Sequence, residues 1–195
     1  MNDTASSASG ATPDHADIID ATRHWLTRAV IGLNLCPFAK SVHVKGQIRY
    51  AISEATDLEG VLSDLETELR TLAQTDPAEV DTTLLILPHA LADFLDYNDA
   101  LHFADLLLGQ LRLDGTLQIA SFHPHYQFED TAPNDIENYT NRAPYPILHL
   151  LREDSIERAV DAFPDAADIY ERNMETLRRL GLDGWREWMA RRGED

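Results

Sequence analysis

Hydrophobic residues recur along the chain with two periods, one typical of helices and one typical of strands. A helix is predicted from Asp17 because one face, spaced by three and four residues, carries Ile18, Trp25, Leu26, Ala29, Val30 and Leu33. Residues 47–53 alternate apolar and polar, which predicts a strand, and residues 82–88 form a continuous apolar run typical of a buried strand. The full pattern gives the order α-β-α-β-α-β-β-α-α. It predicts a single α/β or α+β domain with a mixed sheet of about four strands flanked by helices.

Two helices in this pattern carry capping signals. Thr56 with Glu59, and Asp154 with Glu157, have the spacing of capping boxes and predict two helix starts. A third helix is predicted to end near residue 112 and to turn Leu95 toward the core.

Composition limits the classes of partner. Residues 1–16 are small and polar and predict a disordered tail, which leaves 17–195 as the folded domain. The net charge of −18 repels phosphates, so nucleic acid is not an expected partner. No apolar run is long enough for a membrane span and no signal peptide is recognisable, so a cytoplasmic location is expected. The oligomeric state is not predicted.

The longest stretch without a clear period joins the third and fourth predicted strands, between His123 and Pro146. Loops of this length in compact domains are usually functional or disordered, and the aromatic residues here favour order. His123 and His125 would share one face if the strand continues through Pro124. They are candidate general bases or ligands of a divalent transition metal, with a third ligand from Cys36, Asp135 or Glu137. The alternative is that one histidine is a hydrogen-bonded residue at the strand end and the other is solvated.

Cys36 is the single cysteine and precedes Pro37, which predicts a position near a helix N-cap. Backbone N–H groups and nearby cations would there favour a thiolate, so Cys36 is a candidate nucleophile or metal ligand. A buried, inert thiol is the alternative.

Other polar residues are candidates for orienting a substrate. Arg142 could pair with a carboxylate or phosphate, assisted by Asn138 and Asn141, or it could be a structural partner of Asp135 or Glu137. Lys45 could bind an anion beside the first strand. His89, His102 and His149 are predicted to be structural.

Three motifs, LNLCPFAK, SFHPHYQF and DIENYTNRAPYPILHLLRE, together resemble a family of bacterial proteins known as a domain of unknown function. The resemblance extends from about Trp25 to Trp185. It implies a bacterial, cytoplasmic origin and carries no activity, fold or catalytic residue.

These observations favour an enzyme acting on a small polar or anionic metabolite through a Cys/His site. That hypothesis requires Cys36 to lie within reach of His123 or His125. The alternatives are a non-catalytic module that binds a ligand or a protein, and a thiol or metal sensor.

Overall fold

Four strands form one mixed sheet in a computed structural model that describes residues 13–162 and 168–191. The strands are β1 (Ile48–Ile52), β2 (Thr82–Ile86), β3 (Leu117–Phe122) and β4 (Ile147–Arg152), in the spatial order β1-β2-β4-β3. β1 runs parallel to β2, and β4 runs antiparallel to both β2 and β3. The predicted α+β architecture with a four-stranded mixed sheet is confirmed.

Six α-helices flank the sheet within the described residues: α1 (His15–Trp25), α2 (Ala39–Val44), α3 (Leu58–Gln74), α4 (Phe94–Gln110), α5 (Glu153–Asp161) and α6 (Ile169–Ala190). A π-helical segment, Leu26–Ile31, continues α1. Most of the predicted disordered tail, residues 1–12, lies outside the described residues, and α1 already begins at His15.

The two faces of the sheet are covered by different helices. On one face, α3 and α4 bury a core that includes Leu65, Leu69 and Tyr97. On the other face, α1, the π-helical segment and α6 pack around Trp25 and Ile147. No described helix has the length and apolar composition needed to cross a membrane.

Both predicted capping boxes are wrong, because other groups occupy the cap positions. Asp57, not Thr56, caps α3 by accepting a hydrogen bond from the Gly60 N–H. No side chain caps α5, which begins directly after Arg152. That arginine is buried and donates to the carbonyls of Leu72 and Thr75 at the C-terminal end of α3, and to that of Val80 in the connection to β2.

Leu95 is also placed differently from the prediction, because the residue is 71% exposed. Asp93 caps α4 and accepts from the Leu95 N–H, which places Leu95 in the first turn. The inward face of the helix carries Tyr97 and Ala104, and Leu108, which is also predicted to point inward, is buried there as well. The apolar residues of α4 lie on several sides of the helix, so periodicity alone could not identify the buried face.

Candidate functional site

The loop between β3 and β4 is held together by its own polar side chains, and Asn138 is its centre. Asn138 is fully buried and accepts hydrogen bonds from the Phe128 N–H at 3.0 Å and the Thr131 hydroxyl at 2.8 Å. Its amide N–H donates to the Ala132 carbonyl at 2.8 Å. These contacts satisfy backbone groups that no strand or helix pairs.

Asn141 and Arg142 attach the same loop to the sheet and to itself. The Asn141 side chain donates to the Ser121 carbonyl at 3.1 Å. Arg142 donates to the carbonyls of Tyr126 and Pro133, and its guanidinium carbon lies 4.5 Å from the centre of the Tyr139 ring. Both side chains that were predicted to orient a substrate therefore have structural partners.

Glu137, one of the predicted third ligands, joins the loop to α6. Its carboxylate accepts a hydrogen bond from Arg178 Nε at 2.6 Å, and this contact lowers the pKa of Glu137. The predicted alternative, in which Arg142 pairs with Glu137, is replaced by this pairing.

His123 uses both of its ring nitrogens within the protein. Nδ1 accepts from the His125 backbone N–H at 3.0 Å, and Nε2 lies 3.1 Å from the Leu91 carbonyl. A carbonyl only accepts, so the proton is on Nε2, and no ring lone pair remains for a metal. Burial lowers the pKa of His123, which favours this neutral form.

Cys36 and His123 lie on opposite faces of the sheet. The His123 ring stands 5.4 Å from Phe94 and 5.1 Å from Tyr97, both on α4, and His125 lies beside His123. Cys36 belongs to the cluster on the other face, which contains Trp25 and Phe122. The shared Cys36 and His123 site is therefore not formed, because successive strand positions alternate between faces. Among residues 13–162 and 168–191, no three His, Cys, Asp or Glu side chains are grouped to hold a metal ion.

A cleft of about 840 Å³ opens on the face that carries Cys36. One wall comes from α1, the π-helical segment and α2, and the opposite wall from α5. The sheet supplies the floor. Strand register places Leu84, His149 and Ala120 side by side in one row, with Thr82, Leu151 and Gln118 in the next. Rows on the same face lie about 7 Å apart.

Cys36 lines this cleft as a thiol rather than a thiolate. Burial raises the pKa of Cys36, and it outweighs the backbone N–H groups of Phe38 and Ala39, which lower it. The predicted contribution from a helix N-terminus is present, but the net direction of the shift is opposite to that predicted. The side chain also packs in the apolar cluster.

His149 was predicted to be structural, but its ring lines the floor of the cleft. Nε2 lies 2.7 Å from the Thr82 hydroxyl oxygen, and that hydroxyl also lies 2.7 Å from the Leu150 carbonyl. Burial lowers the pKa of His149 to about 4, so the ring is neutral near pH 7. The alternation in residues 147–151 could have placed His149 on this face. The alternation does not show that part of this face stays uncovered, because that depends on how α5 packs.

Cations lie at the end of the cleft beyond the row formed by Thr82, Leu151 and Gln118. Lys45 and Arg158 line this end, together with Asp81 and Ser155. Ser155 donates to the Asp81 carboxylate at 2.6 Å and accepts from Arg158 at 3.0 Å. The Lys45 ammonium makes no ion pair or hydrogen bond with a described residue. The sequence indicated Lys45 but not Arg158.

Comparisons with known proteins agree with the resemblance carried by the three motifs. Neither the curated proteins nor the solved structures contain a match to the chain. A family model described as "Protein of unknown function (DUF1415)" matches residues 17–187, which include all three motifs. The chain therefore belongs to the DUF1415 family.

Proposed function

We propose that the protein binds a small organic anion with an apolar body in the cleft beside Cys36 and His149. The observation that carries this proposal is the cleft itself, which joins an apolar floor to a cationic end. Its volume lies within the range of roughly 300–1,000 Å³ that is typical of small-molecule sites.

The interior of the cleft favours an apolar body. Trp25, Val30 and Phe122 line its inner end, and the aromatic rings of Trp25 and Phe122 meet edge to face, with centroids 5.1 Å apart. Each buried methylene group of a ligand is worth about 0.8 kcal/mol of transfer free energy. A chain or ring of moderate size can therefore supply most of the affinity.

The outer end favours an anionic group. Among the described residues, three cations line the cleft. The guanidinium of Arg152 already donates to backbone carbonyls, whereas Lys45 and Arg158 are exposed and stand out in a chain with 34 acidic and 16 basic side chains. Arg158 offers a planar fork that suits carboxylates, and the Lys45 ammonium adds a point charge. The Asp81 carboxylate at the same end already accepts a hydrogen bond from the Ser155 hydroxyl.

Charge states in the cleft support binding over thiol catalysis. Nucleophilic cysteine chemistry needs a thiolate, and burial raises the pKa of Cys36. An imidazolium partner would stabilise a thiolate, but burial holds His149 neutral. The same raised pKa counts against a thiol sensor. Binding without catalysis is the hypothesis that agrees with a protonated Cys36 thiol and a neutral His149 imidazole.

The proposal is tested by displacing a neutral, environment-sensitive fluorescent probe with decanoate or decanol at low salt. Decanoate is expected to bind several-fold tighter than decanol. The double change Lys45→Ala and Arg158→Ala should remove this difference, because two exposed charge contacts together contribute about 1 kcal/mol.

Lys40→Ala is the matched control, because Lys40 is exposed on α2 but does not line the cleft. It should leave the preference for decanoate unchanged. Failure of both ligands to bind would overturn the proposal, as would an equal effect of Lys40→Ala and the double change. Ala120→Phe, which adds a ring to the floor, should reduce binding of both ligands at least about tenfold.

A further inference from the structure

His149 stands at the middle of the cleft floor, between apolar neighbours. Its register partners are Leu84 on β2 and Ala120 on β3, neither of which offers a polar side chain. The Phe122 ring lies with its centroid 6.0 Å from that of His149. A ligand lying along the floor would therefore meet one polar group at this point, the imidazole.

The hydrogen bonds of Thr82 determine which ring nitrogen carries the proton. The hydroxyl has one hydrogen, and the Leu150 carbonyl at 2.7 Å can only accept it. The Thr82 oxygen must then accept from His149 Nε2, also at 2.7 Å. In this tautomer Nδ1 holds a lone pair, and no described residue donates a hydrogen bond to it.

The tautomer and the charge state act in the same direction. Burial lowers the pKa of His149, so Nδ1 remains an acceptor near pH 7 instead of becoming a donor. His149 is only partly buried and lines the open cleft, so a ligand that covers Nδ1 without offering a donor would leave this acceptor unsatisfied. Sites built around such a group discriminate strongly between ligands that have the matching donor and those that lack it.

We infer that His149 determines specificity by accepting, at Nδ1, a hydrogen bond from a hydroxyl group in the middle of the bound molecule. The ligand class is thereby narrowed to hydroxylated organic anions with an apolar body, and this inference rests on the proposed function. A hydroxyl suits the position better than an amide. An amide carbonyl would need a donor of its own, and Leu84 and Ala120 supply none.

The test compares decanoate with monohydroxydecanoates that carry the hydroxyl at successive positions, using the wild type and His149→Phe. At least one isomer with a central hydroxyl should bind the wild-type protein more tightly than decanoate does. In His149→Phe, the affinity of that isomer relative to decanoate should fall about tenfold, while decanoate itself still binds. His102→Phe, at an exposed position on α4, is the control and should change neither affinity.

The outcomes separate the two proposals. If decanoate fails to bind the wild type, the proposed function fails. If decanoate binds, and the affinity of every hydroxylated isomer relative to decanoate is the same in the wild type and in His149→Phe, only the role of His149 is overturned.

A second measurement covers the case in which His149→Phe does not fold. The ¹⁵N resonance of His149 Nδ1 in the wild type should shift on binding the preferred isomer and shift much less on binding decanoate. Equal shifts for the two ligands would contradict the inference.

Discussion

The loop between β3 and β4 and the cleft on the sheet differ in where their polar side chains find partners. In the loop, Asn138, Asn141 and Arg142 all bond to nearby backbone carbonyls or N–H groups. In the cleft, the Lys45 ammonium and His149 Nδ1 have no partner among the described residues. The loop is therefore ordered by its polar residues, whereas the cleft retains polar groups that a ligand could use.

This difference explains why a dense cluster of reactive residue types is a weak guide to a site. A loop with little regular structure must pair its backbone groups, and Asn, Asp and Arg are the residues that do so. The same composition would also describe a substrate site. Burial and existing hydrogen bonds decide between the two, and here they assign Asn138 to the loop's own structure.

The largest expected effect is on stability, from Asn138→Ala. The change removes three hydrogen bonds and leaves buried partners unsatisfied, which should cost about 3 kcal/mol of unfolding free energy. In a chain of this size the melting temperature should fall by roughly 10 °C. Asn134→Ala, at an exposed position of the same loop, is the control and should have little effect. Equal effects of the two changes would show that Asn138 does not organise the loop.

The next effect is a pH dependence from His149. Its pKa is about 4 in the folded protein, below the value of about 6.5 in an unfolded chain, so the unfolded state binds the proton more readily between these values. The contribution to stability is complete above pH 6.5 and is lost as the pH falls toward 4. It amounts to about 3 kcal/mol.

Urea unfolding of the wild type and His149→Gln at several pH values isolates this contribution, since the other titrating groups are common to both proteins. The stability of the wild type relative to His149→Gln should fall as the pH decreases from 7 to 4. A difference that does not change with pH would contradict a neutral His149 with a lowered pKa.

A smaller effect is expected in the reactivity of Cys36. Its raised pKa and limited access should slow alkylation by iodoacetamide at pH 7.5 at least about tenfold relative to the same thiol in the urea-unfolded chain. Saturating decanoate should slow the folded protein further, because Cys36 lines the cleft. Rapid alkylation of the folded protein, unaffected by decanoate, would revive the hypothesis of a reactive thiol.

The smallest expected effects distinguish the structural role of Arg142 from the ligand-binding role of Lys45. Arg142→Ala should reduce stability by about 1 kcal/mol through lost hydrogen bonds and the lost contact with Tyr139. Its affinity for decanoate should stay within about twofold of the wild type. Lys45→Ala should instead weaken decanoate by about threefold with little change in stability. The reverse pattern in calorimetric titrations would move the anion site to the loop.

Local patterns were sufficient to predict the strands and the class of fold. Alternation in residues 47–53 and the apolar run at residues 82–88 correspond to β1 and β2. Patterns failed where several neighbours compete for one role, as when Asp57 rather than Thr56 caps α3. Leu95 failed for a related reason, since apolar residues on several sides of α4 gave no unique inward face.

The candidate site was less accessible to sequence reasoning. Cys36 and Lys45 were singled out, but the cleft also needs His149 and Arg158 from much later in the chain. The opening depends on how α5 packs beside the sheet, which no local period encodes. The expected pairing of Cys36 with His123 failed because one position along a strand reverses the face on which a side chain lies.

The most direct test of the account is to titrate the ¹⁵N-labelled protein with decanoate and follow the backbone amide resonances. The largest shifts are expected around Cys36, Lys45, Ala120 and His149, with little change across residues 129–142. Shifts concentrated in residues 129–142, with the cleft unchanged, would place the binding site in the loop and contradict the account.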